Sequence, residues 1–118
     1  MKKLLLASFI LAFGFWSCNN GGSAPKPTTK TLCDSSTFSN LVLPVFTKNC
    51  NLAGCHSQGA GGIDLRKYDP AKAAGLSGKM LPAINRTAGG TKNMPPAAAL
   101  TKRELDILTC WINNGCLP

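Results

Sequence analysis

The stretch Cys50-Asn51-Leu52-Ala53-Gly54-Cys55-His56 constrains this chain more than any other. It holds the only histidine among the 118 residues and two of the six cysteines, one of them directly before the histidine. The segment that must fold around it, residues 32–118, is short. A core of that size buries little apolar area and is expected to need a covalent staple or a buried cofactor.

Two cysteines with a histidine directly after the second are how a c-type haem is attached. The thiols add across the haem vinyl groups, and the adjacent imidazole becomes the proximal iron ligand. The commonest spacing leaves two residues between the cysteines, whereas here there are four. Two other uses of the same side chains stay open. Cys50 and Cys55 can pair as a disulfide, leaving His56 incidental. A zinc site from Cys50, Cys55, His56 and a further cysteine is conceivable, although ligands adjacent in sequence close a tetrahedron awkwardly.

The N-terminus points to export. Lys2 and Lys3 precede an apolar run from Leu4 to Trp16, broken only by Ser8 and Gly14, and Ser17-Cys18 follows. A charged start, a short apolar core and small residues at the cut describe a secretory signal, and the run is too short to span a bilayer comfortably. Phe15-Trp16-Ser17-Cys18 resembles a bacterial lipoprotein signal, which implies that Cys18 becomes a lipidated first residue and tethers the chain by acyl groups. An ordinary signal peptide cut nearby would instead leave Cys18 to pair elsewhere. Residues 1–17 therefore read as a lipoprotein-type signal peptide, and residues 18–31, rich in Gly, Pro, Ser and Thr, as a flexible tether. The expected location is the cell envelope or periplasm, anchored to a membrane, where cysteines are disulfide-bonded or ligated. Without Lys2 and Lys3 the net charge falls from +8 to +6. The remaining basic residues are scattered from Lys26 to Arg103, which argues against nucleic acid. They fit solubility, or a diffuse positive face toward acidic redox partners.

Helical signals dominate residues 32–118, so the expected fold is all-α, helical and loop-rich. Phe38, Leu41, Val42 and Leu43 supply apolar contacts. Pro44 suits a first helical position, which predicts a helix from Pro44 to about Cys50 with Val45 and Phe46 buried. Residues 57–62 read as a loop, and Ile63, Leu65 and Tyr68 return to the core. Asp69-Pro70 reads as the N-cap and first turn of a helix ending at Gly75. A turn from Lys79 to Asn85 would bury Met80, Leu81 and Ile84. Residues 86–99 form a long irregular loop, which in so small a domain is usually functional. Thr101 with Glu104 forms a capping box for the last helix, and Leu100 can staple against Leu105. In that helix Leu105, Leu108 and Ile112 form one stripe, flanked by Ile107 and Trp111. Asn113-Asn114-Gly115 ends it.

A sole histidine excludes bis-histidine iron ligation within one chain. Met1 leaves with the signal, so the remaining thioether donors are Met80 and Met94. Met80 falls in an amphipathic turn, where filling the core is the better expectation. Met94 stands in Asn93-Met94-Pro95-Pro96, where prolines stiffen the backbone that would present its sulfur. A thioether ligand favours reduced iron and raises the potential, as suits an electron carrier; an open sixth site would instead admit gas or peroxide chemistry. Enzymatic catalysis is not expected. A Ser-His-Asp set would need His56, and Asp64, Asp69 and Glu104 read as turn or capping residues. Of Cys33, Cys110 and Cys116, one pair can form. Cys110 and Cys116 are close in sequence, while Cys33 with either would close a much longer loop and stabilise more in the chain-entropy picture.

Leu43-Pro44-Val45-Phe46, the Cys-x4-Cys-His stretch, Pro82-Ala83-Ile84-Asn85, Met94-Pro95-Pro96 and the final Trp111-Ile112-x-x-Gly115 occur in this order. Over residues 32–118 the chain resembles the small mono-haem c-type cytochrome domains of exported bacterial proteins, including lipoproteins of the Bacteroidetes type. The resemblance implies a cytochrome c-like helical fold with one covalently attached haem c and single-electron transfer in the cell envelope. It assigns His56 as proximal ligand, Met94 as distal ligand and thioether bonds to Cys50 and Cys55. The longer spacer is similar to a minor variant in which the extra residues bulge out, here aided by Gly54. In related domains a cysteine at the start accompanies one near the last helix, which favours a Cys33 pairing. The competing expectation is a haem-free, disulfide-stapled lipoprotein that binds a partner.

Overall fold

Two helices begin by the same device. The hydroxyls of Thr31 and Thr101 accept the backbone N–H of Asp34 and Glu104, whose carboxylates in turn accept the threonine N–H. This reciprocal cap satisfies two of the four donors that a helix start leaves without partners. The computed structural model describes residues 31–58 and 60–118. The segment read as a signal peptide, Cys18 and the expected tether as far as residue 30 lie outside the described residues. From Thr31 the order is α1 (Leu32–Ser35), a π-helical turn (Phe38–Val42), α2 (Leu43–Asn49), a 3-10 turn (Ala60–Gly62) and α3 (Tyr68–Leu76). It continues with α4 (Met80–Ile84), a second 3-10 turn (Gly90–Lys92) and α5 (Lys102–Asn113). Among the described residues there is no strand. The fold is all-α and loop-rich, as expected.

Several boundaries differ from the sequence reading, each for a local reason. The segment before Pro44 is helical rather than merely apolar: Phe38–Val42 winds as a π turn, closed by Leu43 N–H donating to the carbonyl of Phe38. Pro44 falls in the first turn of α2, where its missing N–H leaves no intrahelical bond unmade. Asp69 does not cap α3. The helix starts at Tyr68, two residues before Pro70, Lys67 stands at the N-cap without a side-chain bond, and Asp69 lies inside the first turn, where a carboxylate complements the helix dipole. The helix also continues one residue past Gly75, to Leu76. In α5 the buried face is Ile107, Leu108 and Trp111, whereas Leu105 and Ile112 are only half-buried. The stripe turns this way because Trp111 is the residue the other elements pack around.

Trp111 is fully buried. Phe46 of α2 meets it edge-on at 5.9 Å, and Phe38 of the π turn lies 6.3 Å away and 5.5 Å from Tyr68. Trp111 Nε1 donates to the carbonyl of Leu117 (2.8 Å), which also accepts the N–H of Phe38 (2.9 Å). One carbonyl near the C-terminus thus joins the π turn to the central tryptophan. Tyr68 donates its hydroxyl to the carbonyl of Cys116 (2.8 Å), tying α3 to the same segment. Gly75 permits this approach: a Cβ there would stand 2.6 Å from Cys116 Sγ and 3.1 Å from Trp111. Leu65 and Ile84 are buried, with Ile63, Tyr68, Met80 and Leu81 packed against the same core.

Cys33 and Cys110 form a disulfide across 77 residues, joining α1 to α5 with Cα atoms 4.8 Å apart. Of the two partners open to Cys33, Cys110 is the one taken. Cys116 stays a free, buried thiol, pushed up in pKa by that burial against the opposing charge of Lys72. Asn114 Nδ2 donates to the carbonyl of Cys33 beside the staple (3.1 Å). The domain is therefore a disulfide-stapled helical module. Closing a loop this long restricts the unfolded chain most. The double variant Cys33→Ser/Cys110→Ser is expected to lose about 4 kcal/mol of unfolding free energy in urea titrations; a loss below about 1 kcal/mol would show that the staple constrains little.

Candidate cofactor-binding site

The seven residues from Cys50 to His56 form a closed loop at the end of α2. Phe46 O accepts the N–H groups of both Cys50 and Asn51 (2.8 Å each), so α2 ends on a shared acceptor. The N–H of His56 then donates back to the carbonyl of Cys50 (2.9 Å), bringing the two ends of the motif together. Within the loop, Cys55 N–H and Ser57 Oγ both donate to Leu52 O. The four-residue spacer is taken up by an outward turn. Leu52, Ala53 and Gly54 are exposed, Leu52 by 51%, and Gly54 has φ of +77°, a conformation that glycine adopts without steric penalty. Cys50 and Cys55 carry free thiols; they do not form the disulfide that the sequence left open.

Burial, with Cys55 and Glu104 nearby, pushes the Cys50 thiol up to about 11. Cys50 is thus uncharged at neutral pH, as its apolar surroundings demand. His56 is half-buried, and its Nδ1 is buried without a hydrogen-bond partner. Both polar atoms of the Asn51 side chain are buried in the same condition. Unsatisfied polar atoms are rare enough in native structures to need a reason, and here three of them fall within one seven-residue loop. Gly61 packs against the imidazole: a Cβ on it would lie 3.2 Å from His56 Nδ1, His56 Cε1 and the carbonyl of Cys55.

Two cavities meet at this loop. The first, of about 360 Å³, is walled mainly by Phe46, Ile63, Leu65, Ala74, Ala83 and Ile84, with Lys79 and Ser77 on its border. The second, of about 270 Å³, is bordered by Asn49, Gly54, Cys55, Gly61, Pro95 and Pro96. Cys50, His56 and Met94 border both. The sequence-predicted Cys50, Cys55, His56 and Met94 therefore all border the second cavity, and three of them also border the largely apolar first one. Met80 is half-buried against the core, as expected, and also borders the first cavity. Among the described residues no three His, Cys, Asp or Glu side chains gather to hold a metal ion by themselves. The zinc arrangement thus lacks a ligand set there.

The loop bearing Met94 hangs from the end of α4. Met94 N–H donates to Ala83 O (3.0 Å), Thr87 and Ala88 N–H donate to Pro82 O, and Arg86 Nη1 donates to Pro95 O (2.9 Å). A second support was not legible in the sequence. Glu104 completes the α5 cap through Oε2, while its Oε1 accepts Lys48 Nζ (2.8 Å) and Asn49 Nδ2 (3.1 Å). Asn49 also donates to Val45 O, so one amide links the carboxylate to the last turn of α2, directly before Cys50. The capping role of Glu104 was visible three residues from Thr101; its clasp on α2 spans 55 residues and carries no local signal.

No family model, curated protein or solved structure compared with the chain matches it.

The bonds from Lys48, Thr101 and Asn49 hold the Glu104 carboxyl at about 2, well below its ordinary 4.5. A depressed folded-state pKa stabilises the fold fully above the unfolded value, and the contribution is lost as pH falls toward the folded one. Stability is expected to fall as the pH drops from about 4.5 to about 2. The half-buried Asp64, held near 2 chiefly by Arg66, titrates in the same window. Urea midpoints across this range should show a shallower acid loss in Glu104→Gln than in the wild type. Equal acid slopes in the two proteins would remove Glu104 from this role.

Proposed function

We propose that this chain is a membrane-tethered, single-haem c-type electron carrier of the cell envelope, with no catalysis of its own. One observation carries the reading: an imidazole, a thioether and a thiol (His56, Met94 and Cys50) border the same two neighbouring cavities. The residues fit the group. The aliphatic and aromatic walls suit a buried macrocycle, and Lys79, whose ammonium borders the first cavity, suits its propionate carboxylates. With Nδ1 buried beside Gly61, Nε2 is the nitrogen of His56 available to iron. A ligating histidine ordinarily engages its other nitrogen with a partner. Asn51, in the same closed loop, carries an equally unsatisfied Oδ1 acceptor.

In this reading Cys50 and Cys55 hold the haem by thioether bonds, His56 is the proximal ligand and Met94 the distal one. The haem supplies a one-electron iron couple, with a potential raised by thioether ligation and burial. The protein's part is to fix the two ligands, exclude water with Phe46 and Leu65, and offer a weakly basic surface to acidic redox partners. Cys18 would carry the lipid that keeps the domain at the membrane.

The Cys33–Cys110 staple and the continuous core around Trp111 favour a second reading, a haem-free lipoprotein module that binds a partner. Two methionines bordering the first cavity speak against a gas- or peroxide-binding iron with an open site. The absorption spectrum and intact mass of the mature protein discriminate these. A haem band that survives denaturation and a mass raised by one haem and its acyl chains are expected. A haem-free spectrum and mass would leave the stapled module. In the loaded protein, Met94→Ala should abolish the methionine–iron charge-transfer band and Met80→Ala should retain it; the opposite result would move the distal ligand to Met80.

A further inference from the structure

Arg86 stands in a conformation that its side chain does not favour. Its φ is +60°, in the left-handed region, directly after the end of α4. Its N–H closes the helix end by donating to Ala83 O (3.1 Å). This is the position at which helices most often carry glycine, because a Cβ is penalised there. A non-glycine residue held in such a conformation points to a use for its side chain. Arg86 has one: Nη1 donates to Pro95 O, nine residues on, at 2.9 Å. The loop between them crosses Gly89 and Gly90, with Gly89 N–H donating to Asn93 Oδ1 (3.2 Å), and it has no buried residue between Arg86 and Met94.

Met94 is thus bracketed. Its own N–H is fixed to Ala83 O, and the carbonyl of the next residue is fixed to the Arg86 guanidinium. Both anchors lie at the end of α4, whose Ala83 and Ile84 also wall the first cavity. The backbone anchor is common to any sequence that follows this path. The side-chain anchor is specific to arginine at position 86.

We infer that Arg86 is the positioning residue for the Met94 thioether, locking the Met94-Pro95 segment against α4 so that the sulfur borders the cavity shared with His56. The inference rests on the haem reading for the ligand it positions, while the hold on the loop is independent of it. The arginine takes a backbone conformation better suited to glycine in return for that hold.

Arg86→Gly separates the two effects, because it relieves the backbone while removing the guanidinium. In the full-length, haem-loaded protein the thermal midpoint of Arg86→Gly is expected to match or exceed that of the wild type. Added imidazole is nonetheless expected to displace the methionine–iron band at about 5- to 10-fold lower concentration, the scale of one lost hydrogen bond of ordinary net strength. Arg86→Lys, which keeps a cationic donor, should recover part of that shift. Hydrogen exchange at the Met94 amide, read in the same proteins with or without haem, should quicken by a similar factor in Arg86→Gly. Imidazole titrations that coincide for wild type and Arg86→Gly would overturn the positioning role, and an unchanged Met94 exchange rate would overturn the hold on the loop. A wild type without covalent haem would instead defeat the functional reading, and the exchange rates would still judge the hold.

Discussion

The domain depends on the burial of one indole. Trp111 is enclosed by Phe46 and Phe38, and its N–H ends on the same carbonyl that receives the π turn. A buried tryptophan contributes both a large apolar area and a polar atom that must be satisfied. Here both demands are met by segments distant in sequence. Because Phe46 touches Trp111 on one side and borders the first cavity on the other, the core and the candidate site share a wall. Anything that shifts α5 is felt at Phe46, and hence at Cys50, whose N–H hangs from the Phe46 carbonyl.

The site is held from three directions by unlike interactions. The motif loop is closed by its own backbone, from His56 N–H to Cys50 O. The end of α2 is clasped to the start of α5 by a carboxylate, Glu104, that also serves as a helix cap. The methionine loop is suspended from the carbonyls of Pro82 and Ala83 in α4 and from Arg86 just past its end. Each support satisfies groups left over at a helix terminus. In a domain whose helices are so short, termini are abundant, and their unused donors and acceptors become the means of fixing loops.

Much of this was visible in the residues. The capping box at Thr101, the burial of Val45 and Phe46, the return of Leu65 to the core and the helical class all follow from local pattern, and all are present. The longer cysteine spacer fits because Gly54 can take a positive φ and its neighbours turn outward. Local pattern failed where a distant contact outweighed it. Asp69-Pro70 looks like a helix start, yet α3 begins at Tyr68, whose hydroxyl is claimed by Cys116 O. The apolar stripe of α5 leaves Trp111 beside Leu108, and only the arrival of Phe38 and Phe46 makes it the centre.

The sequence by itself determined the chemistry on offer: one histidine, one thiol directly before it and a second six residues before it, two methionines downstream and three further cysteines in the same domain. Side-chain inventory and short spacings are written in order along the chain, so they need no fold to be read. Tertiary structure decided which of these meet. It joined Cys33 to Cys110 and left Cys116 buried and free, kept Cys50 and Cys55 as thiols, and gathered Cys50, His56 and Met94 around the same cavities. It also recruited Glu104, Gly61 and Arg86 to hold them. The physical reason is range. A cap, a turn or an apolar period acts over a few residues, whereas a cross-chain hydrogen bond or a close approach to glycine exists only once the chain has closed around Trp111.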